Sequence, residues 1–303
     1  MANGVGLTIE ADDFNAIRNK IIKVLGTGIG NFGYGQTLQS SSVSPGDEIQ
    51  TTQWNNLRWD IFNTLVHQTG TTPNIVSATV QNVIKYGAGE PNFQYNVLSD
   101  AASTNRFDLG IGQFAIESGV TVAQNVSFSS AARCTITVNF NTADQARYFF
   151  NSGGKIRFTS TRTGGSATTQ NTVWSNLLAS VGTRSFDGNT STVNFYTLTN
   201  VEQLWVSQRP SAIEYYSGNE YKISVSCNQA SNINGGATQV IFKVELIDTY
   251  TDRYPATPPF DLVNGTLSLF VDQIRATGIL QPTSAPFSVA GPSSYTSSGF
   301  ITT

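Results

Sequence analysis

Charge is what this sequence has least of. Only 12% of its 303 residues are Asp, Glu, Lys or Arg, about half the share usual in soluble domains. Ser, Thr, Asn, Gln and Gly must therefore cover the surface. That profile fits an all-β protein inside an assembly, whose neighbours cover surface that a free monomer would keep charged; a secreted β-rich protein has the same look. The net charge is −3 and the pI about 5.2, so no basic field draws in phosphates and nucleic acid is not an expected partner. Runs of apolar residues fall short of the roughly 18 to 20 needed to span a bilayer, so no membrane is expected either. After Met1 the chain reads Ala-Asn-Gly-Val-Gly-Leu, without a basic start or an apolar stretch, and the expectation is synthesis and assembly in a cytoplasm. Cysteine is nearly absent. Cys134 lies in phase with Ile136, Val138 and Phe140, and Cys227 with Ile223 and Val225, so both are expected as buried free thiols, too few for a zinc site. The sequons at Asn125, Asn189 and Asn264 carry little meaning without secretion.

What is present begins with a repeat. Ile9 to Arg18 matches Ile49 to Arg58 at an offset of 40, and Ile21 and Leu25 then match Ile61 and Leu65. Caps at Glu10 and Gln50 put Ile9 and Ile49 just outside two helices and Phe14 and Trp54 at the fourth helical position, the spacing of a hydrophobic staple. Phe14, Ile17, Ile21 and Leu25 form one apolar stripe; Trp54, Leu57, Ile61 and Leu65 form the other. The joining loop, Gly26 to Asp47, is long and glycine-rich, and such a loop is expected to lie on a partner. Further helical stretches are expected around Ile75, Thr79 and Val83 and around Phe93, Val97 and Ala101, separated by Gly87 to Pro91. Helical spacing gives way to alternation near residue 105.

The organising stretch runs from Thr142 to Gly182. Thr142 and Gln145 have capping-box spacing for a short helix presenting Ala146, Phe149 and Phe150. Gly153 and Gly154 end it, Lys155 to Ser160 alternates as a strand, and Gly164-Gly165 turns the chain. Asn171 or Thr172 then caps a helix with Trp174, Leu177, Leu178 and Val181 on one side and Gly182 at its end. The other expected strands are Gln113–Glu117, Arg133–Phe140, Ser191–Leu198, Leu204–Ser207, Glu220–Cys227, Gln239–Asp248 and Thr266–Asp272. From Ala276 to Thr303 there is no charged residue, and the apolar side chains of this tail point to docking on a neighbouring subunit. The fold class that follows is α+β: a helical docking region over 1–105, an antiparallel β-sandwich with two short packed helices over 106–275, and an extended tail over 276–303.

Catalytic chemistry is not readable. Gly28-Ile29-Gly30-Asn31-Phe32-Gly33 is a literal GxGxxG, but it follows a helix and enters a loop, the reverse of a dinucleotide site, and no cofactor is expected. His67, the single histidine, stands at a helix end where it complements the dipole. Glu245, Asp248 and Asp252 cluster at a strand end, which is the weakest of sketches for a two-carboxylate glycosidase. Trp205, Tyr215, Tyr216 and Tyr221 are the aromatic residues available to stack on a sugar.

FFNSGGKIRFTSTRTGG at 149–165, NTVWSNLL at 171–178 and EIQTTQWNNLRWDI at 48–61 resemble virion structural proteins of the T4-like myoviruses of marine cyanobacteria. That resemblance implies a tail or tail-fibre-like particle component, no enzymatic activity, other virion proteins as partners, and a homo-oligomer or ring within the particle. Interface candidates are Arg18, Arg58, Trp54, Phe32, Tyr34, Phe287 and Phe300; Arg18 and Arg58 have equivalent places in the two repeats, where an arginine beside an apolar stripe is ordinarily a solvated flank and otherwise a partner for acidic groups across an interface. The alternative is a receptor- or glycan-binding module using the aromatic residues named above.

Overall fold

The computed structural model describes residues 10–78, 91–211, 216–250, 262–278 and 288–303. The chain forms two compact units: Met1–Ala115 with Arg147–Gly154 and Arg275–Ala290, and Ile116–Ala146 with Lys155–Ile274 and Gly291–Thr303. Helices and antiparallel sheets are both present.

In the first unit, α1 (Ala11–Leu25) and α2 (Thr51–Thr69) start at the caps that the repeat places at Glu10 and Gln50. The Asp13 carboxylate accepts the Glu10 N–H at 3.4 Å and the Gln53 side chain accepts the Gln50 N–H at 2.7 Å. Both expected stripes are buried. A third helix, α3 (Pro91–Thr104), carries a further copy of the motif. Tyr95-Asn96-Val97-Leu98 follows Trp54-Asn55-Asn56-Leu57 by 41 residues, as that follows Phe14-Asn15-Ala16-Ile17 by 40. The equivalent aromatic rings of the three helices meet in the core, Phe14 edge-on to Trp54 at 5.1 Å and Trp54 against Tyr95 at 5.7 Å.

The asparagine beside each of the first two rings explains what the conserved spacing of the two helix starts accomplishes. Asn15 pairs with both backbone groups of Val43, donating to its oxygen at 2.8 Å and accepting its N–H at 3.1 Å, and one turn on Arg18 donates twice to the Ser40 carbonyl. Asn55 pairs in the same way with Ala78, at 3.0 Å in both directions, and Arg58 donates to the Ile75 carbonyl at 2.7 Å. An Asn-x-x-Arg pair on one helix thus holds, at a spacing of three residues, the extended segment that leads into the next helix. Unpaired backbone near a core must find partners, and a primary amide, which both donates and accepts, supplies two at once. The opposite sides of the segments are held by Asp60, which accepts from the N–H groups of Gln39 and Ser40, and by Gln94, which pairs with Val76 and Asn74. Residues 72–78 are therefore an extended strap and not the helix expected around Ile75; Thr79 and Val83 lie outside the described residues.

The Gly26–Asp47 loop, expected on a partner, folds onto its own unit. Gly33 N–H bonds Lys23 O at 2.7 Å and Gln36 N–H bonds Leu25 O at 2.7 Å. Gly33 has φ 90° and a Cβ there would meet Gly26 O at 2.4 Å, so only glycine fits this close approach.

The second unit holds two sheets. One has the strand order β1-β8-β3-β4, built from β1 (Phe114–Phe128), β3 (Lys155–Thr163), β4 (Arg184–Phe186) and β8 (Val263–Ala276). The other has the order β10-β2-β7-β6-β5, built from β2 (Ala131–Asn139), β5 (Gln203–Gln208), β6 (Glu220–Cys227), β7 (Gln239–Ile247) and β10 (Ile301–Thr302), with β9 (Ser294–Ser297) also on β2. Alternation is clean: Val240, Phe242, Val244 and Leu246 are buried, and Phe242 lies 4.6 Å from Phe158 of β3. Cys134 and Cys227 are buried free thiols, as expected. α4 (Ala143–Asn151) begins where Thr142 Oγ1 accepts the Gln145 N–H at 3.1 Å, and Gly153 turns the chain with φ 84°. α5 (Thr169–Val181) is capped by Thr168, ahead of the expected Asn171, whose amide instead ties Ser166 to Asn264.

Other expectations fail for physical reasons. Ser191–Leu198 is no strand: Asp187 captures the N–H groups of Asn189 and Thr190, and Asn194 caps a single 3-10 turn at Phe195–Thr197, side chains competing with the ladder for the backbone. β1 runs on from the expected Gln113–Glu117 to Phe128, through Ser118-Gly119, because Gly119 leaves room for the Tyr295 ring, 2.8 Å from where a Cβ would stand. The tail, expected to dock on a neighbour, pairs with β2 of its own chain, Ile301 opposite Arg133 and Tyr295 opposite Val138.

Removing either clamp amide leaves two strap groups unpaired. Asn15→Ala and Asn55→Ala should each lower unfolding free energy by about 2 kcal/mol, against about 3–5 kcal/mol for Trp54→Ala. Urea unfolding followed by circular dichroism checks this; a loss below about 0.5 kcal/mol for both Asn variants is the result that discards the clamp.

Candidate functional site

Most of the interface candidates turn out to be internal. Trp54 and Tyr34 are 1% exposed and Phe300 is 6% exposed. Burial drives the Tyr34 phenol well above its usual range, and its hydroxyl donates to the Arg106 carbonyl. Phe32 is half-buried beneath the Arg106 guanidinium, 4.6 Å away. Arg18 and Arg58 donate to strap carbonyls, and Arg18 also lies close enough to Asp60 of α2 to favour its charged form. Phe287 lies outside the described residues.

The glycine loop faces the wrong way for a phosphate. Arg147 Nη1 donates to Gly28 O at 2.9 Å and Gly30 O at 3.1 Å, and Asn151 Nδ2 donates to Gly33 O at 3.0 Å. An anion needs N–H groups aimed at it; here carbonyls are gathered round a cation. His67 likewise does not serve the helix dipole. It is buried, its Nε2 lies 2.9 Å from Ser152 O, and burial pulls its pKa down to about 4. A neutral imidazole donating from Nε2 to that carbonyl is the form at pH 7.

Trp205 sits in a cluster of rings, 5.4 Å from Phe186 and 6.0 Å from both Phe158 and Phe242. Tyr221 is buried with its hydroxyl 2.8 Å from Ser160 Oγ, and Tyr216 is buried against Tyr250; Tyr215 lies outside the described residues. Of the carboxylates, Glu245 is taken by Arg133 at 2.9 Å and Lys243 at 3.5 Å, and Asp252 is outside the described residues. No group of three or more His, Cys, Asp or Glu residues suited to a metal ion occurs among the described residues.

Asp248 is the exception among the acids, and sequence reasoning reached it only as one member of an acidic cluster. It is 5% exposed at the end of β7. Gln170 of α5 donates to Oδ2, Tyr250 N–H donates to Oδ1 at 3.0 Å, and its own N–H bonds Ser130 O at 2.7 Å. Trp174 Nε1 and Asn219 Nδ2 face the carboxylate without reaching it in hydrogen-bond geometry. Burial disfavours the charged form and outweighs these donors, which favour it; with no cation acting on the group among the described residues, its pKa is pushed up to about 6. The arrangement is a buried carboxyl that seals the α5–β7 junction. Among the described residues no second carboxylate acts on it, and a hydrolytic pair needs one.

Comparison of the chain with protein-family models, with curated proteins and with solved structures finds no match in any of the three.

Asp248 and His67 respond oppositely to acid. The raised Asp248 pKa means that its contribution is complete below the ordinary value of 3.8 and is lost as pH rises through about 6. The lowered His67 pKa means that its contribution is present above 6.5 and is lost as pH falls toward about 4. Asp248→Asn should therefore stabilise the protein by roughly 2–3 kcal/mol at pH 7.5, with the gain vanishing near pH 4. His67→Gln, which keeps a donor for Ser152, should remove the destabilisation between pH 6.5 and 4. Urea unfolding at several pH values tests both; a gain for Asp248→Asn that does not change with pH rules out titration as its cause.

Proposed function

We propose that the chain is a non-enzymatic structural subunit of a bacteriophage tail, at the baseplate, neck or fibre-attachment region, whose β unit is an antiparallel sandwich forming the body of the part. The observation that carries this reading is a set of large apolar side chains held out on fixed turns of a surface that is otherwise poor in charge. Ile29 is 85% exposed, and Arg147 grips the carbonyls on both sides of it. Ile111 is 87% exposed, and Gly110 beside it bonds the His67 carbonyl at 2.8 Å. Val201 and Ile233 are exposed at 67% and 70% on the other unit. A free monomer gains nothing from such side chains, whereas a preorganised apolar contact lowers the entropic cost of assembly.

The resemblance to cyanophage virion proteins supports the same reading, as does the burial of Tyr216 and Tyr221. Those are two of the four aromatic residues named for the glycan-binding alternative, and no observation among the described residues favours it. The ring contacts between Phe242 of β7 and Phe158 and Phe186 of the other sheet support the sandwich.

The test is copy number: quantitative mass spectrometry of purified particles, beside the mass of the free protein in solution. A copy number that is a low multiple of three or six is the expected result. Absence from washed particles, or a free protein that by itself blocks adsorption of the phage to cells, overturns the proposal.

A further inference from the structure

Among the described residues the two sheets end in strand edges of unequal character. β5 is six residues long, shifts register between Leu204 and Val206, and is flanked by Glu202, Arg209 and Pro210. β4 has three residues, and the β9 and β10 edge is built of pieces of four and two. Short length, charge, proline and irregular register are the devices that keep an edge from pairing with another chain. β1 has few of them. It is fifteen residues long, and from Ser118 to Ala132 there is no Asp, Glu, Lys, Arg or Pro.

Its interior half is regular. Glu117 and Gly119 face inward, Glu117 accepting the Gln273 amide at 2.7 Å and Gly119 lying under the Tyr295 ring. Val126 and Phe128 are also buried, so the strand changes phase once between these pairs. From Thr121 onward Thr121, Ala123, Asn125 and Ser127 are exposed and Val122 and Val126 turn inward, while Gln124 at the centre is exposed too. Gln124, between them, is fixed by a two-way amide pair with Phe300, at 3.0 Å to its carbonyl and 2.9 Å from its N–H. The segment that remains, Thr-Val-Ala-Gln-Asn-Val-Ser, reads nearly the same in both directions about Gln124.

We propose that β1 is an interface between two copies of this chain, paired antiparallel about a two-fold axis at Gln124. Laid against itself, the segment sets Val122 opposite Val126, Thr121 opposite Ser127 and Ala123 opposite Asn125, each pair occurring twice. Like meets like in size and polarity, and no charge is brought against charge, which is what an isologous contact requires. The four-stranded sheets of the two copies become one eight-stranded sheet, in the manner of strand addition to an open edge. Different partners, with a charged or bulky strand, fit this edge worse than a second copy does. The inference stands on the edge alone and does not depend on a place in a phage tail. A contact of seven residues per chain is at the small end of specific interfaces, so a dissociation constant of about 10 µM is expected.

The experiment uses the full-length chain. Sedimentation equilibrium of the unaltered protein should give a dimer above about 10 µM, and Ala123→Lys should weaken it at least tenfold while leaving the melting temperature unchanged. Register is read separately by mixing two single variants, Ala123→Cys and Asn125→Cys, under mild oxidation. Disulfide-linked dimers should form in the mixture and not in either variant alone, because residue 123 faces 125 across the axis and neither faces its own copy. The native cysteines do not confuse the assay, being buried with thiols whose pKa values burial raises. A protein that stays monomeric at about 200 µM, an oligomer indifferent to Ala123→Lys, or equal cross-linking of each variant by itself overturns the proposal.

Discussion

The structure depends on neutral amide side chains that pair with backbone. With charge so scarce, the groups that irregular segments leave unpaired have few ionic partners available, and several long connections among the described residues are held by Asn or Gln. Asn15 and Asn55 hold the straps before α2 and α3. Asn232 donates to Phe195 O and accepts from Ala237 N–H, which locks the loop between β6 and β7. Asn228 accepts from Thr238 and Gln239, and Gln124 binds the turn before β10. Each replaces two water contacts of a backbone segment with two protein contacts, worth about 1 kcal/mol apiece. Besides Lys20–Asp100 between α1 and α3 and Arg157–Asp272 between β3 and β8, the ion pairs among the described residues lie on the six-stranded sheet, where Arg133, Glu245, Lys243 and Glu202 run in one chain of contacts. Exposed pairs of that kind add little stability; what they do is keep that face wet.

How much of this was legible in the sequence depends on the range of the interaction. The caps at Glu10 and Gln50, the two stripes, the thiols facing inward and the alternation of β7 are set by residues a few positions apart, and they stand in the structure as read. The third helical copy was hidden because its offset is 41 and Ser99 replaces the arginine of the first two, so the only common signal is aromatic-Asn-x-aliphatic. What asparagine does at that position could not be read at all, since its partners at Val43 and Ala78 lie more than twenty residues away and show no side-chain pattern.

The failures share that cause. Residues 191–198 alternate like a strand, yet the carboxylate of Asp187, outside the segment, decides its path. The Gly26–Asp47 loop looks unoccupied because the arginine and asparagine that hold it come from α4, more than a hundred residues on. Low charge suggested a surface that wants cover without saying which surface, and in the glycine loop and in 294–302 of the tail the chain itself supplies partners.

That division bears on assembly. Because the tail and the glycine loop are satisfied internally, the surfaces left for neighbours are narrower than the composition implies: the isoleucines at two fixed turns, Val201 and Ile233, and the bare edge of β1. The first two turns are tied to their own unit by hydrogen bonds to Gly28 O, Gly30 O and His67 O. Binding through those turns orders little further chain, so the entropic penalty that accompanies folding on contact is largely avoided. Rigidity also sets a condition on pH. Asp248 closes α5 against β7 and is charged above about pH 6, so at neutral pH the β unit carries an unfavourable buried charge that the six-stranded sheet must outweigh. Among the described residues no cation offsets that charge, so the cost falls on the packing of α5 against β7, and it is removed when acid protonates the carboxyl.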